Sequence, residues 1–186
     1  MKNTIPVILV LAVIFTGCGA GSYQSKVKSD FEPPKAEDIA VMYLDHPDIN
    51  ISNTATNVLE KELKKCQVIG FIPAVRTDSM LQGNNISIPR RFTKDFALKL
   101  KNILNVNYLL TGGITIWKEG APGFPVASST EVGASLTMYD LNTGKVVWTV
   151  SGEETGWAGI LAEKPESKAE DIFKGMLSEW EGFCKE

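Results

Sequence analysis

Between residues 130 and 152 the chain spells out two strands and the turn that joins them. In TEVGASLTMYD, Val132, Ala134, Leu136 and Met138 alternate with Glu131, Gly133, Ser135 and Thr137, which is the period of a strand buried on one face. After LNTG the period resumes in KVVWTVSG, with Val146, Trp148 and Val150 on the dry face and Lys145, Val147 and Thr149 on the other. Gly144 supplies the positive φ that a tight turn needs, so the two runs form an antiparallel hairpin. A hairpin with one dry face must be covered, and the rest of the chain has to supply the cover.

It does so with strands and amphipathic helices. DIAVMYLD, residues 38–45, reads as a short strand, and Ile51, Ala55, Val58, Leu59, Leu63 and Cys66 then recur at helical spacing with EKELKK on the wet side. QVIGFIP, 67–73, reads as a second strand. The polar stretch to Arg91 has room for one helical turn around Ser79 to Gln82. Phe92, Phe96, Leu100, Ile103 and Leu104 mark another helix, ended by Asn105, which tolerates the left-handed C-cap conformation. VNYLLTGGITIW, 106–117, is a third strand, separated from the hairpin by the Gly/Pro-rich KEGAPGFPVASS. Ser167-Lys168-Ala169-Glu170 matches a capping box, and Ala169, Ile172, Phe173, Met176, Leu177, Trp180 and Phe183 form the stripe of a terminal helix. The expected order is β-α-β-α-β-β-β-α. This is one α/β domain over residues 37–186, a mixed sheet with an antiparallel C-terminal hairpin and helices packed on it.

The N-terminus obeys a different logic. Ile5 to Phe15 is an unbroken apolar run after Lys2, and its roughly eleven residues fall short of the about 20 that span a bilayer. Basic start, apolar middle and small exit residues are the parts of a secretory signal, assigned to residues 1–17. The exit, Phe15-Thr16-Gly17-Cys18, resembles the lipobox of bacterial lipoproteins, with Phe15 where leucine is commonest. That resemblance implies cleavage before Cys18 and acylation of its thiol and amine. Several acyl chains hold permanently where a single one holds only marginally. Gly19, in place of the aspartate that retains lipoproteins at the inner membrane, implies the periplasmic face of the outer membrane. Residues 18–36, polar and ending near Pro33-Pro34, then read as a flexible tether.

Removing residues 1–17 takes away one lysine and no acid, moving the formal net charge from −3 to −4. No basic stripe is present to neutralise phosphates, so nucleic acid is not an expected partner. With Cys18 assigned to lipid, Cys66 and Cys184 remain as an even pair in an oxidising compartment, leaving open a disulfide or two free buried thiols. His46, in LDHPDIN, is the only histidine and reads as a loop residue, with no Gly-x-Ser-x-Gly nucleophile to serve. The Gly-Lys of LNTGK lies between strands, where a phosphate-binding loop would need strand and helix. Glu153, Glu154, Glu163 and Glu166 have no fixed spacing and read as facing water. No metal, cofactor or catalytic constellation is expected. Trp117, Phe124 and Trp157 lie in or beside glycine-rich loops and read either as a partner surface or as caps on the core.

DIAVMYLD, VNYLLTGGITIW and VGASLTMYDLNTGKVVWTVSG together resemble the domain shared by the curli secretion lipoprotein CsgG and the peptidoglycan-synthase activator LpoB, with the TolB N-terminal domain more distant. Asp140, Thr143, Gly144 and Val146 match the Asp-x-x-Thr-Gly-x-Val of the family hairpin, and Tyr108 with Gly112 matches the strand before it. Asn105-Val106-Asn107 departs from the family's Gly-Ala-Asp. The resemblance implies a non-enzymatic envelope lipoprotein that binds or regulates another envelope protein. Its alternative is a self-associating accessory subunit of a CsgG-like secretion complex. Residues 118–129, twelve residues with two prolines, are too few for a membrane hairpin of two roughly 9 to 11 residue strands, so the chain would not build a barrel there.

Overall fold

Ten elements follow one another among the described residues: β1 (Ser22–Val27), β2 (Ile39–Val41), α1 (Ile49–Lys65), β3 (Phe71–Ile72), α2 (Ala74–Gly83), α3 (Lys94–Leu104), β4 (Tyr108–Lys118), β5 (Glu131–Asp140), β6 (Lys145–Thr155) and α4 (Pro165–Ser178). The computed structural model describes residues 22–27, 38–65, 70–89, 92–121, 128–156 and 163–179. The six strands form one mixed sheet in the order β1-β6-β5-β4-β2-β3, confirming the expected α/β class. β2 runs parallel to β3 and β4, whereas β4-β5, β5-β6 and β6-β1 are antiparallel.

Two cores follow from the two faces. Ile39, Val41, Leu110, Leu136, Met138, Trp148 and Val150 turn to one face, where α1 and α4 cover them with Leu59, Leu63, Ile172, Phe173 and Met176. Ala40 and Leu109 turn to the other and meet Leu81, Leu100 and Leu104 of α2 and α3. Trp148 and Phe173, the largest fully buried side chains, each contribute about 1.5–3 kcal/mol by leaving water. Along the outer half of the sheet the second face is polar. There Thr137, Thr149 and Lys26 lie in register, as do Ser135, Ser151 and Gln24.

Local physics explains the helix boundaries. Thr93 caps α3, its hydroxyl accepting from the Phe96 amide, and Asn105 ends it at φ 54°, as its residue type predicts. α4 starts at Pro165, two residues before the box at Ser167, because proline fits the first helical position. α2 is ten residues long, where the sequence suggested a single turn. Its missing local cap comes from another element: the Glu60 carboxylate on α1 accepts the Ala74 amide at 2.7 Å.

Four further expectations are corrected. Residues 22–27, read as tether, form β1, an edge strand whose six residues are all paired with β6. In β6 a bulge between the pairs Met138–Trp148 and Tyr139–Val146 inserts Val147 as an extra residue. A bulge reverses side-chain alternation, so Val147 is buried and Val146, expected on the dry face, is exposed. Glu62, in the supposed wet stretch, is buried and paired with Lys65. Glu154, expected in water, is also buried.

The turn of the β5–β6 hairpin is fastened by Asp140. Its carboxylate accepts from the Asn142 amide (2.7 Å) and the Thr143 hydroxyl (2.8 Å), while Gly144 sits at φ 71° against the start of α3. Burial pushes the Asp140 carboxyl up, but these hydrogen bonds outweigh it and hold it below the ordinary carboxylate value. A depressed acid stabilises above its unfolded pKa, and that contribution is lost as pH falls through the folded value. Asp140→Asn is therefore expected to be less stable than wild type near pH 7 and to lose less stability on acidification below about pH 4, read by urea titration at each pH.

Candidate functional site

Besides its backbone ladder with β6, β1 is held to the domain chiefly by the Tyr23 side chain. The Tyr23 ring lies in a slot between β6 and α4 that exists because both walls are glycine: a Cβ on Gly152 would sit 2.6 Å from the ring, and one on Gly175 2.2 Å from it. At the end of the slot the Tyr23 hydroxyl donates to Glu154 Oε1 at 2.6 Å, which satisfies a carboxylate only 8% exposed. Burial, then the Glu154 hydrogen bond and charge, push the Tyr23 phenol well above its ordinary value, because a phenolate there would face a carboxylate. Ser25 adds a contact by accepting from the Trp148 indole at 3.3 Å. Ser22, Gln24, Ser25 and Lys26 are otherwise exposed. A backbone ladder with one side-chain pocket is how extended segments are held at sheet edges.

The same end of the sheet is organised by Thr130, which is fully buried. Its hydroxyl accepts from the Gly120 amide (3.0 Å) and donates to the Glu163 carbonyl, and its own carbonyl accepts from the Gly156 amide (2.7 Å). One residue thus joins the exit of β4, the exit of β6 and the approach to α4. Gly120 permits this, since a Cβ there would come within 2.8 Å of Thr130 atoms. Thr130→Val keeps the shape and removes both hydroxyl bonds. It should cost about 1–3 kcal/mol in urea unfolding, chiefly by leaving the buried Gly120 amide unpaired, whereas Thr130→Ser should recover most of it.

A cleft of about 560 Å³ opens beyond the end of β2, lined by Met42, His46, Ile49, Ile88, Phe92 and Tyr139 among others. Phe92 stacks on Tyr139 (centroids 4.4 Å apart) and meets Phe96 edge-on at 5.6 Å. His46 Nδ1 accepts from the Asp48 amide at 3.0 Å, an arrangement that holds the loop before α1. Two hydroxyls nearby are engaged: Ser52 donates to the Leu44 carbonyl, and Thr56 accepts the Leu44 amide while donating to the Ser52 carbonyl. Asp48 accepts from the Asn50 amide at the start of α1. The cleft therefore combines aliphatic and aromatic walls with polar residues, Asp45, His46, Ser52 and Thr111 among them. Among the described residues no three metal-ligating side chains converge, and no helix is long and apolar enough to cross a membrane.

Trp117, expected beside a loop, is the penultimate residue of β4 and packs half-buried against the main core, opposite Val132. Cys18, Cys66, Cys184, Phe124 and Trp157 lie outside the described residues. The flanks of two of them are defined: β4 ends at Lys118 opposite Glu131, and Glu131 is opposite Thr155 at the end of β6, so the stretches bearing Phe124 and Trp157 leave the same end of the sheet. Sequence reading missed Tyr23 and Thr130. The one signal for Tyr23 was a lone aromatic in a polar run, and Thr130 carried none, because its role depends on three segments meeting.

No protein-family model matches the sequence, and no curated protein does. Among solved structures the chain is similar to the PelC dodecamer from Paraburkholderia phytofirmans, with a TM-score of 0.59 and 18% identity over 86% of this chain and 96% of that one. The chain shares its fold with PelC. A methionine variant of the same dodecamer in another crystal form gives a TM-score of 0.57 at 17% identity, over 84% and 96% of the two chains. The LpoB C-terminal domain from Salmonella enterica is a more distant likeness of outline, with a TM-score of 0.39 and 12% identity over 64% of this chain and 82% of that one.

Proposed function

We propose that this chain is a lipid-anchored lipoprotein of the bacterial cell envelope that works by binding and assembly, without catalysis. In this reading residues 1–17 are removed, Cys18 carries the lipid, and residues 37–186 with β1 form a domain on the periplasmic face of the outer membrane. The observation that carries the reading is the docking of β1, which begins four residues after Cys18 and ties the anchored end of the chain into the sheet. A synthase activator working across the peptidoglycan layer needs a long free tether, and β1 takes that length away.

Self-association is favoured over a purely monomeric regulator by one specific observation, the fold shared with a dodecamer. The chain then acts as an accessory subunit of an envelope secretion or assembly complex of the kind CsgG exemplifies, leaving any pore to another protein. Phe124 and Trp157 belong to the contact surface of the anchored protein, while Trp117 serves the core. Multi-angle light scattering of the delipidated domain tests this: a species several times the monomer mass is expected, and a strict monomer at about 100 μM or above would count against self-association. Crosslinking of the lipidated protein in cells would identify the envelope neighbour.

A further inference from the structure

The lipid anchor of the proposed function and the position of β1 together fix an orientation. Between Cys18 and Ser22 lie only Gly19, Ala20 and Gly21, and four Cα steps reach about 14 Å at full extension. A free tether to residue 36 would reach about 60 Å. The folded domain thus begins within one short stretch of the acyl chains. Ser22 pairs with Glu153, so it sits at the end of the sheet where β6 leaves at Thr155, β5 begins at Glu131 and β4 leaves at Lys118.

We infer that this end of the sheet, framed by Ser22, Lys118, Thr130, Glu131 and Thr155, faces the lipid bilayer and is a membrane-contacting surface. Two observations besides the short link support it, the rigidity of the platform and the absence of charge in the stretches that leave it. Thr130 binds the frame into one rigid platform, as its contacts above require. The platform carries the pairs Lys118–Glu131 at 2.8 Å and Lys168 with Glu163 at 3.1 Å and Asp171 at 2.9 Å, and Glu119 and Glu153 stand exposed beside them, an acidic excess that favours zwitterionic over anionic headgroups at this surface. The stretches that leave it, PGFPVA at 122–127 and WAGILA at 157–162, contain no charged residue. At the opposite end the β5–β6 turn, Leu141–Gly144, displays Asn142 and Thr143, and Lys145 stands exposed about 30 Å from Glu131, given the rise of β5. The partner of this surface is therefore lipid, held there by the anchor, and any protein bound at the same end would have to lie at membrane level.

The inference rests on acylation at Cys18, and its test separates the two. Full-length lipidated protein is reconstituted into phosphatidylethanolamine/phosphatidylglycerol vesicles with a coumarin amino acid at position 119 or 145, and quenching by brominated lipid is compared. Quenching at 119 should exceed that at 145 by about twofold or more, and a twenty-residue Gly/Ser insertion before Ser22 should abolish the difference. Equal quenching in vesicle-bound protein without the insertion would overturn the orientation while leaving the anchor intact. Failure of the purified protein to bind vesicles, with no difference from Cys18→Ser, would overturn the anchor itself. A photocrosslinker at position 119 that captures protein in place of lipid in cells would also overturn the membrane-contacting reading.

Discussion

Gly175→Val is expected to release β1 and to destabilise the domain by about 2–3 kcal/mol, the range for forcing a bulky group into a packed site. The new Cβ would lie 2.2 Å from the Tyr23 ring, far inside contact distance, and the ring cannot retreat toward β6 because Gly152 closes on it from the other side. Tyr23 must therefore leave the slot, and Glu154 then loses its hydroxyl donor while buried. Urea unfolding reads the loss, and hydrogen exchange should show amides 22–27 losing protection while α1 and the β4–β5 pair keep theirs. In Tyr23→Ala the same glycine substitution should cost much less, since the two effects share one contact. Equal costs in both backgrounds would mean that the slot does not hold the strand.

Alkali should act on the same latch. A phenol held above its ordinary value contributes stability that is fully present below pH 10.0, the unfolded value, and is lost as pH rises beyond it toward the folded one. Wild type should show a stability loss above about pH 10 that Tyr23→Phe lacks. Tyr23→Phe should itself be about 1–2 kcal/mol less stable near pH 7, because Glu154 loses a partner.

Cys18→Ser carries the largest expected functional effect. Without the thiol no diacylglyceryl group can be attached, and β1 and the domain would have no other permanent hold on the membrane, so the protein should move from the membrane fraction to the soluble periplasm. The fold should be unaffected, because among the described residues the two cores are built from residues 39–177, with Tyr23 packed against the larger one, all of them beyond Cys18. A variant that remains fully membrane-bound would show that the surface at the end of the sheet, and not the lipid, is the anchor. Membrane release together with unchanged unfolding is the expected pair of results.

Most of this fold was legible because its signals are local. The alternation in β5, the αL residue at Asn105 and the stripe of α4 each depend on residues within a few positions of one another, and periodicity reads such distances directly. What escaped depends on distant contacts. SYQSKV reads as solvated chain, yet its backbone is paired along its whole length and its half-buried tyrosine meets two glycines more than 125 residues away. The cap of α2 comes from Glu60, and the Val147 bulge reverses a face that strict alternation had assigned. Thr130 looked like any threonine opening a strand until three segments converged on it. The cleft around Phe92 and Tyr139 was equally hidden, since its walls come from residues 42–52, 88–92, 111–112 and 139.

Everything said of where the protein works depends on the covalent state of one residue, and mass spectrometry of the N-terminal peptide from the membrane fraction reads that state directly. The expected peptide begins at Cys18, carries diacylglycerol on sulfur and an acyl group on the amine, and ends at Lys26 after cleavage by trypsin. A mature chain that begins elsewhere, or an unmodified peptide that still joins Gly17 to Cys18, would contradict it.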